Sequence, residues 1–507
     1  MMTASIMQVE QVSALFIGLG ASALIYIVYS YVMTWYRLRK IPGPLLAHFS
    51  YLWLAKVSMG GRQYYIYRGL CEKYGPLVRV GPNEITTDDP EIIRKMSAAR
   101  SQYGKGEWYI GARFNPYSDS MFTNTNVHEH DKMKSKTASA YGGRDTPALE
   151  IGVDQQVSSL VQIIRDKYLW SQDKRDAPLL DIAKLMSFFT MDVITKAAFG
   201  EEFGYLREQS DLFNFLRGVR ENWPKLAASI EVPLIRNTLY SRTYLNFLGP
   251  RTTDKEGMGS LMGVAEKLVD RRFKQGLKGE EDMLASFIRH GLSRTNCKVE
   301  GLFMVIAGSD TSAGAMRTTL LYIMTCPRVY QKLKAEIARV LKEGRVSSPI
   351  SYEEARNIPF LQAVVYEGLR MRPPAPGLYP KSVPPEGDVI HGKFIPGGTV
   401  IGMNTSSLLA SKSLFGSDAD IFRPERFMEV DQATRTEMER LVELIFGYGR
   451  FMCAGKPVAF MELNKMYFEL LRAFDLQLAN PMKPWDSQSW SVFVEENFWV
   501  KVTESRL

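Results

Sequence analysis

A single cysteine, Cys453, ends a glycine-punctuated turn, Phe446-Gly447-Tyr448-Gly449-Arg450-Phe451-Met452-Cys453-Ala454-Gly455, directly ahead of an apolar helix-forming run from Pro457 to about Phe474. No other stretch restricts the fold as strongly. Glycines at 447 and 449 let the backbone close around the sulfur, and the amides of such a turn can donate hydrogen bonds to a thiolate. The positive end of the following helix also favours the anion. A cysteine placed this way can be a nucleophile, a redox thiol or the axial ligand of a haem iron, with a buried structural thiol as the bland alternative. A nucleophile would want a histidine base and a cysteine-hydrolase signature, which is not present.

The four cysteines, Cys71, Cys297, Cys326 and Cys453, lie far apart with no Cys-x-x-Cys pair, which argues against a disulfide framework or a zinc ribbon. The formal charge of +8 is dispersed, so no nucleic-acid partner is expected. From Val12 to about Trp35 there is no charged residue, and Arg37, Arg39 and Lys40 follow at once. This run predicts a transmembrane helix over about 12–35 within an anchor at 1–36, with the C-terminal bulk in the cytosol. Ile41-Pro42-Gly43-Pro44 stiffens and turns a basic, proline-rich hinge at 37–50. Residues 51–507 are left for the main domain.

A short hairpin is expected over Tyr74–Thr86 and an irregular aromatic loop over Ser101–Asn126. A helix begins near His130, where His130 and Lys134, four apart, share a face. Helices continue from about Val153 to Met283. Val299 to about Met324 is an apolar helical run interrupted by Ala307-Gly308-Ser309-Asp310-Thr311-Ser312. Glycine and a buried acid both cost stability inside a helix, so the interruption marks either a functional site or a kink at Gly308 capped by Ser309 or Asp310. Glu367 and Arg370 are three apart on a predicted helix over Ile358–Arg372, ahead of Phe422-Arg423-Pro424-Glu425-Arg426-Phe427. A hairpin is expected over His391–Val400 and closing strands over about Ser487–Val502.

These motifs, in this order, resemble the cytochrome P450 superfamily, most closely fungal microsomal members of secondary-metabolite pathways. The resemblance implies a mainly α fold with a small β-rich subdomain, preceded by one N-terminal transmembrane helix in the endoplasmic reticulum membrane. It implies haem b, with Cys453 as the axial ligand of the iron and Phe446, Gly447, Gly449 and Gly455 as the matching positions of the haem loop. Phe451 stands where the family carries a basic residue, and Arg450, His130 and Lys134 become the candidate partners of the haem propionates. On the same resemblance Gly308 would leave room for dioxygen, Thr311 would hydrogen-bond the bound oxygen, and Asp310 would relay protons. Glu367, Arg370 and Arg426 would form a buried charge network that supports the haem loop. The implied activity is a monooxygenase that takes electrons from NADPH through NADPH-cytochrome P450 reductase, with cytochrome b5 as a second donor, and inserts oxygen from O2 into a hydrophobic small molecule. A P450-like isomerase, dehydratase or cyclase working without reductase, and a non-enzymatic membrane haem or lipid binder, are the alternatives.

Overall fold

In the computed structural model, residues 21–22, 25–26, 28–171 and 177–506 are described. Five helices position the site: α1 (Val127–Tyr141), α2 (Ile182–Phe199), α3 (Arg294–Thr325), α4 (Pro359–Met371) and α5 (Lys456–Ala473). Asn126 starts α1, its side chain accepting from the amides of His128 and Glu129 at 3.0 and 3.2 Å. Asp181 does the same for α2, and Gly200, in the left-handed region, ends it. Apolar on nearly every side, α2 is buried along almost its whole length, as such a pattern requires. It packs on α3, whose other side meets α4 and α5. The central α3 runs for 32 residues without interruption. Gly308 does not break it, because its neighbours on both sides supply the burial that outweighs the glycine's low helix propensity.

The larger sheet has five strands, β1 (Leu77–Arg79), β2 (Glu84–Thr87), β3 (Gly104–Lys105), β4 (Lys381–Ser382) and β5 (Val400–Met403), in the order β1-β2-β5-β4-β3. The expected first hairpin forms, with Leu77 opposite Thr87. The hairpin expected over His391–Val400 is displaced: Asp388–Ile390 pairs with Lys393–Ile395 around His391 and Gly392, and Val400 opens β5 instead. Both turn residues have positive φ, which places the reversal there. The aromatic loop contributes β3, which puts Lys105 opposite Lys381. At the C-terminus β6 (Phe474–Leu478) pairs with β9 (Trp499–Glu504), while β7 (Asp486–Ser489) and β8 (Phe493–Glu496) form a separate hairpin. One hydrophobic core cluster runs from Leu38 to Val502.

The expected transmembrane helix over 12–35 is corrected, and with it the membrane partner and the single-pass endoplasmic-reticulum placement. Among the described residues no helix is long and apolar enough to cross a membrane. Residues 28–37 of that segment are helical. Residues 12–20, 23, 24 and 27 of the expected span lie outside the described residues. The end of this helix is held by the sheet. Arg79, fully buried, donates to the carbonyls of Thr34 and Trp35 at 3.0 and 3.2 Å. Within the expected hinge, Leu38 and Ile41 are buried in the core.

Candidate active site

The turn before α5 is built as its glycines suggest. Gly447 and Gly449 have φ of 75° and 52°, and a Cβ at Gly447 would lie 2.9 Å from the Phe451 carbonyl oxygen. The Cys453 amide closes the turn by donating to the Phe446 carbonyl at 2.6 Å. Gly455 has an ordinary φ of −78° and is the cap of α5. The Cys453 side chain is exposed only in the sense that it opens into an interior cavity of about 380 Å³; protein surrounds it. Burial pushes its thiol pKa up, while the amides of Gly455 and Lys456 and the charge on Lys134 pull the other way. Desolvation therefore outweighs the helix end that was expected to favour the anion, and a bonded cation is what would deliver the thiolate.

Another wall of the cavity is the middle of α3, with Phe303, Ala307, Gly308, Asp310 and Thr311 among its lining residues. The Thr311 hydroxyl donates to the Ala307 carbonyl one turn back at 2.8 Å. Asp310 is paired at 2.8 Å with Arg317 of the same helix. Gly308 lines the cavity and also has a packing reason. A Cβ there would lie 2.8 and 2.9 Å from two side-chain carbons of Ile194 on α2, so the missing side chain lets two helices approach. Aromatic residues complete the walls, with Phe122 stacked on Phe303 at 5.3 Å between centroids, and Trp108 edge-on to Tyr379 at 5.5 Å.

The cationic side chains are distributed differently from the expectation. His130 lines the cavity, with its ring tilted against Phe451 at 5.2 Å and its Nδ1 2.9 Å from Asp131. Burial, then the charge on Lys105, lowers its pKa to about 4. Lys134 and Arg450 are not lining residues. Lys134 donates to the Arg450 carbonyl at 2.7 Å, and the Arg450 guanidinium is engaged by the carbonyls of Ala99 and Ser101 and by Asp131 at 3.3 Å. Both fasten the cysteine turn to neighbouring segments. The cavity instead receives Lys105 and Lys381, two residues that sequence reasoning missed. Lys105 donates to the carbonyls of Met121 and Phe122 at 3.1 and 2.7 Å, and Lys381 to the Tyr109 hydroxyl at 2.6 Å and the Tyr379 carbonyl at 3.0 Å. Burial, and for Lys105 also the charge on Lys381, lowers their pKa values to about 6 and about 7. Nothing local marked either lysine; only the pairing of β3 with β4 brings them together.

This donor set fits a haem. One cysteine sulfur reaches an apolar cavity, and two buried lysine amines, whose charged forms burial disfavours, have no carboxylate partner among the described residues; an anion such as a propionate pair would restore their charge.

Beneath the turn, Glu367 on α4 accepts from Arg370 at 2.7 and 2.8 Å and from Arg426 at 3.0 Å. All three are buried, and the remaining donors are taken up: Arg370 by the carbonyls of Leu409 and Ala419, Arg426 by Asp418 and by the carbonyls of Phe415 and Ile421. A row of aromatic contacts, Phe427 to Tyr366 to Phe460 to Phe446, carries this rigid cluster to the cysteine turn at centroid spacings of 5.5–5.9 Å.

The family model described as Cytochrome P450 matches residues 40–502. Cytochrome P450 monooxygenase aba1 of Botryotinia fuckeliana is 59% identical over 469 residues, 92% of each chain. Cytochrome P450 monooxygenase abl1 of Leptosphaeria maculans is 50% identical over 465 residues, 91% of this chain and 82% of that protein. Cytochrome P450 monooxygenase ABA1 of Pyricularia oryzae is 42% identical over 493 residues, 96% of each.

Proposed function

Because the chain belongs to the cytochrome P450 family and is a haem-thiolate monooxygenase of the kind found in fungal secondary-metabolite pathways, supplied by NADPH through a reductase, we propose that Cys453 holds the haem iron and that Asp310 and Thr311 deliver protons across the cavity. The single observation that carries this reading is that Cys453 lines one cavity with Asp310 and Thr311, which are far from it in the chain. Haem supplies oxygen activation and electron storage. The chain supplies the rest. Lys105 and Lys381 bind the haem carboxylates, with His130 beside them, and the Phe446 turn orients the sulfur. The Thr311 hydroxyl, which bonds the Ala307 carbonyl of its own helix, would turn to donate into the cavity that it lines, and Asp310 would be the acid that replenishes it. Glu367, Arg370 and Arg426 keep the turn rigid, and residues 51–507 act as one catalytic domain.

The aromatic walls favour a largely apolar small molecule, of terpenoid, polyketide or alkaloid type, as substrate. The test of the ligand is the absorption spectrum of the reduced protein with and without carbon monoxide. The strongly red-shifted Soret band of a thiolate-bound haem is expected for the wild type and its loss for Cys453→Ser. Persistence of that band in Cys453→Ser would exclude this residue.

A further inference from the structure

Asp310 does not face the cavity alone. Its carboxylate meets Nη2 of Arg317 at 2.8 Å, seven residues along the same helix, and seven residues return to the same face. Arg317 is fully buried, and its nitrogens are all engaged. Nε donates to the Ala313 carbonyl at 3.1 Å, Nη2 also to the Ser187 hydroxyl at 3.3 Å, and Nη1 to the Glu495 carbonyl at 3.2 Å. The same Nη1 stands 3.3 Å from the Glu495 carboxylate. Glu495 is fully enclosed on β8 and has a second cation, Arg372, at 3.5 Å. Neither of its carboxylate oxygens has a hydrogen-bond donor among the described residues, so charge alone holds it. The row Asp310, Arg317, Glu495, Arg372 alternates in sign and is neutral overall, the condition under which ions are tolerated in an interior.

Asp310 and Arg317 line the cavity themselves, and the strand that carries Glu495 is part of its wall. Ser491, Val492 and Val494, on the β7–β8 hairpin, line the cavity. Val494 and Glu495 are adjacent on one strand, so their side chains leave opposite faces: one meets the cavity, the other meets Arg317. Arg317 thus stands between two carboxylates on two different elements. A guanidinium keeps its proton in any ordinary pH range, so Arg317 is a clamp and not a donor.

We propose that Arg317 is a positioning residue for the reaction: it fixes the Asp310 carboxylate for proton delivery, and Glu495 fixes Arg317, so that pressure of a bound molecule on the β7–β8 hairpin is felt at the acid. The proposal rests on the reading of Asp310 as the relay acid. Arginine is needed because its forked donors reach both carboxylates at once, which the single ammonium of lysine cannot do. Neither Arg317 nor Glu495 carries any local sequence signal. Helix pitch and the return of the C-terminal hairpin bring them together.

The test uses the holoenzyme with NADPH and reductase and no added substrate, and reads peroxide formed per NADPH consumed. A second readout, the infrared stretch of carbon monoxide on the reduced haem, senses the local field and not turnover. Asp310→Asn sets the reference, with NADPH consumption lowered about tenfold or more, the low side of what loss of a general acid or base removes. Arg317→Gln is expected to move both readouts in the same direction, with the double variant no further displaced than Asp310→Asn. Arg317→Lys should fall between wild type and Arg317→Gln, and Glu495→Gln should move the same way by less. Wild-type values for Arg317→Gln where Asp310→Asn departs, or additive effects in the double variant, overturn the positioning role. Wild-type values for Glu495→Gln overturn the link to the hairpin. Should Arg317→Gln fail to retain haem, Arg317→Lys and Glu495→Gln decide by the same comparisons. Wild-type values for Asp310→Asn would defeat the reading of Asp310 itself, a separate result.

Discussion

Lys105 and Lys381 are partners across β3 and β4, and both ammonium groups lie over Phe451, 5.2 and 4.8 Å from its ring centroid. The phenyl ring occupies the place where a basic residue was expected, and two lysines from the sheet flank it. Their carbonyl and hydroxyl partners satisfy hydrogen bonds but not charge, so an anion bound there gains from both.

Lys381→Met is expected to speed loss of haem to an excess of an apo-globin acceptor by about tenfold to a hundredfold, the equivalent of one charge-assisted hydrogen bond of ~1.5–3 kcal/mol. The pH dependence has a definite sign. Burial lowers the two lysines to about 6 and about 7, and a carboxylate partner raises them again, so haem binding takes up protons above those values. Haem retention therefore weakens as pH rises from about 7, and the Lys105→Met, Lys381→Met pair flattens that slope. An unchanged slope in the pair would assign the carboxylates to other residues.

Thr311→Ala removes the hydroxyl while keeping the helix, since among the described residues Oγ1 bonds only its own Ala307 carbonyl. The expected outcome is a severalfold rise in peroxide per NADPH at unchanged haem content, because losing a positioned proton donor slows the productive branch. Coupling equal to wild type would remove Thr311 from proton delivery.

Gly308→Ala would drive a Cβ against Ile194. A destabilisation of about 1–3 kcal/mol is expected from overpacking, read as a lowered denaturant midpoint. Adding Ile194→Ala should restore much of it. If the double variant were no better than Gly308→Ala, the glycine would be serving the cavity side instead.

Glu367→Gln leaves Arg370 and Arg426 buried with less than their compensating charge. Breaking such a network is expected to cost about 3–5 kcal/mol and to lower haem content before activity per haem. A variant with normal stability and low activity per haem would give these residues a direct role.

The glycines at 447 and 449, the cysteine, the helix behind it, and the Glu367 and Arg370 pair were legible because each is a local pattern whose physical demand is met within about twenty residues. The uninterrupted apolar length of 12–35 was legible too, yet composition did not decide its fate: the described part ends on Arg79 and in the core, and no described helix is long and apolar enough to cross a membrane. Helical spacing put His130 and Lys134 on one face and the family resemblance made both candidates, but spacing does not say which of two residues on one face reaches a cavity.

By itself the sequence determined the cysteine loop, the helix behind it and the Glu367 and Arg370 pair, because turn chemistry and helical periodicity act between near neighbours; that the central helix runs unbroken through Gly308 was decided by its packing. Only the tertiary structure decided that Lys105 and Lys381 face one ring, that Ile194 fills the space beside Gly308, and that Arg317 stands between Asp310 and Glu495. The reason is physical: charge and packing act through space at a few ångströms, and the residues that meet there are separated by more than a hundred positions of chain, the neighbouring turns of α3 excepted.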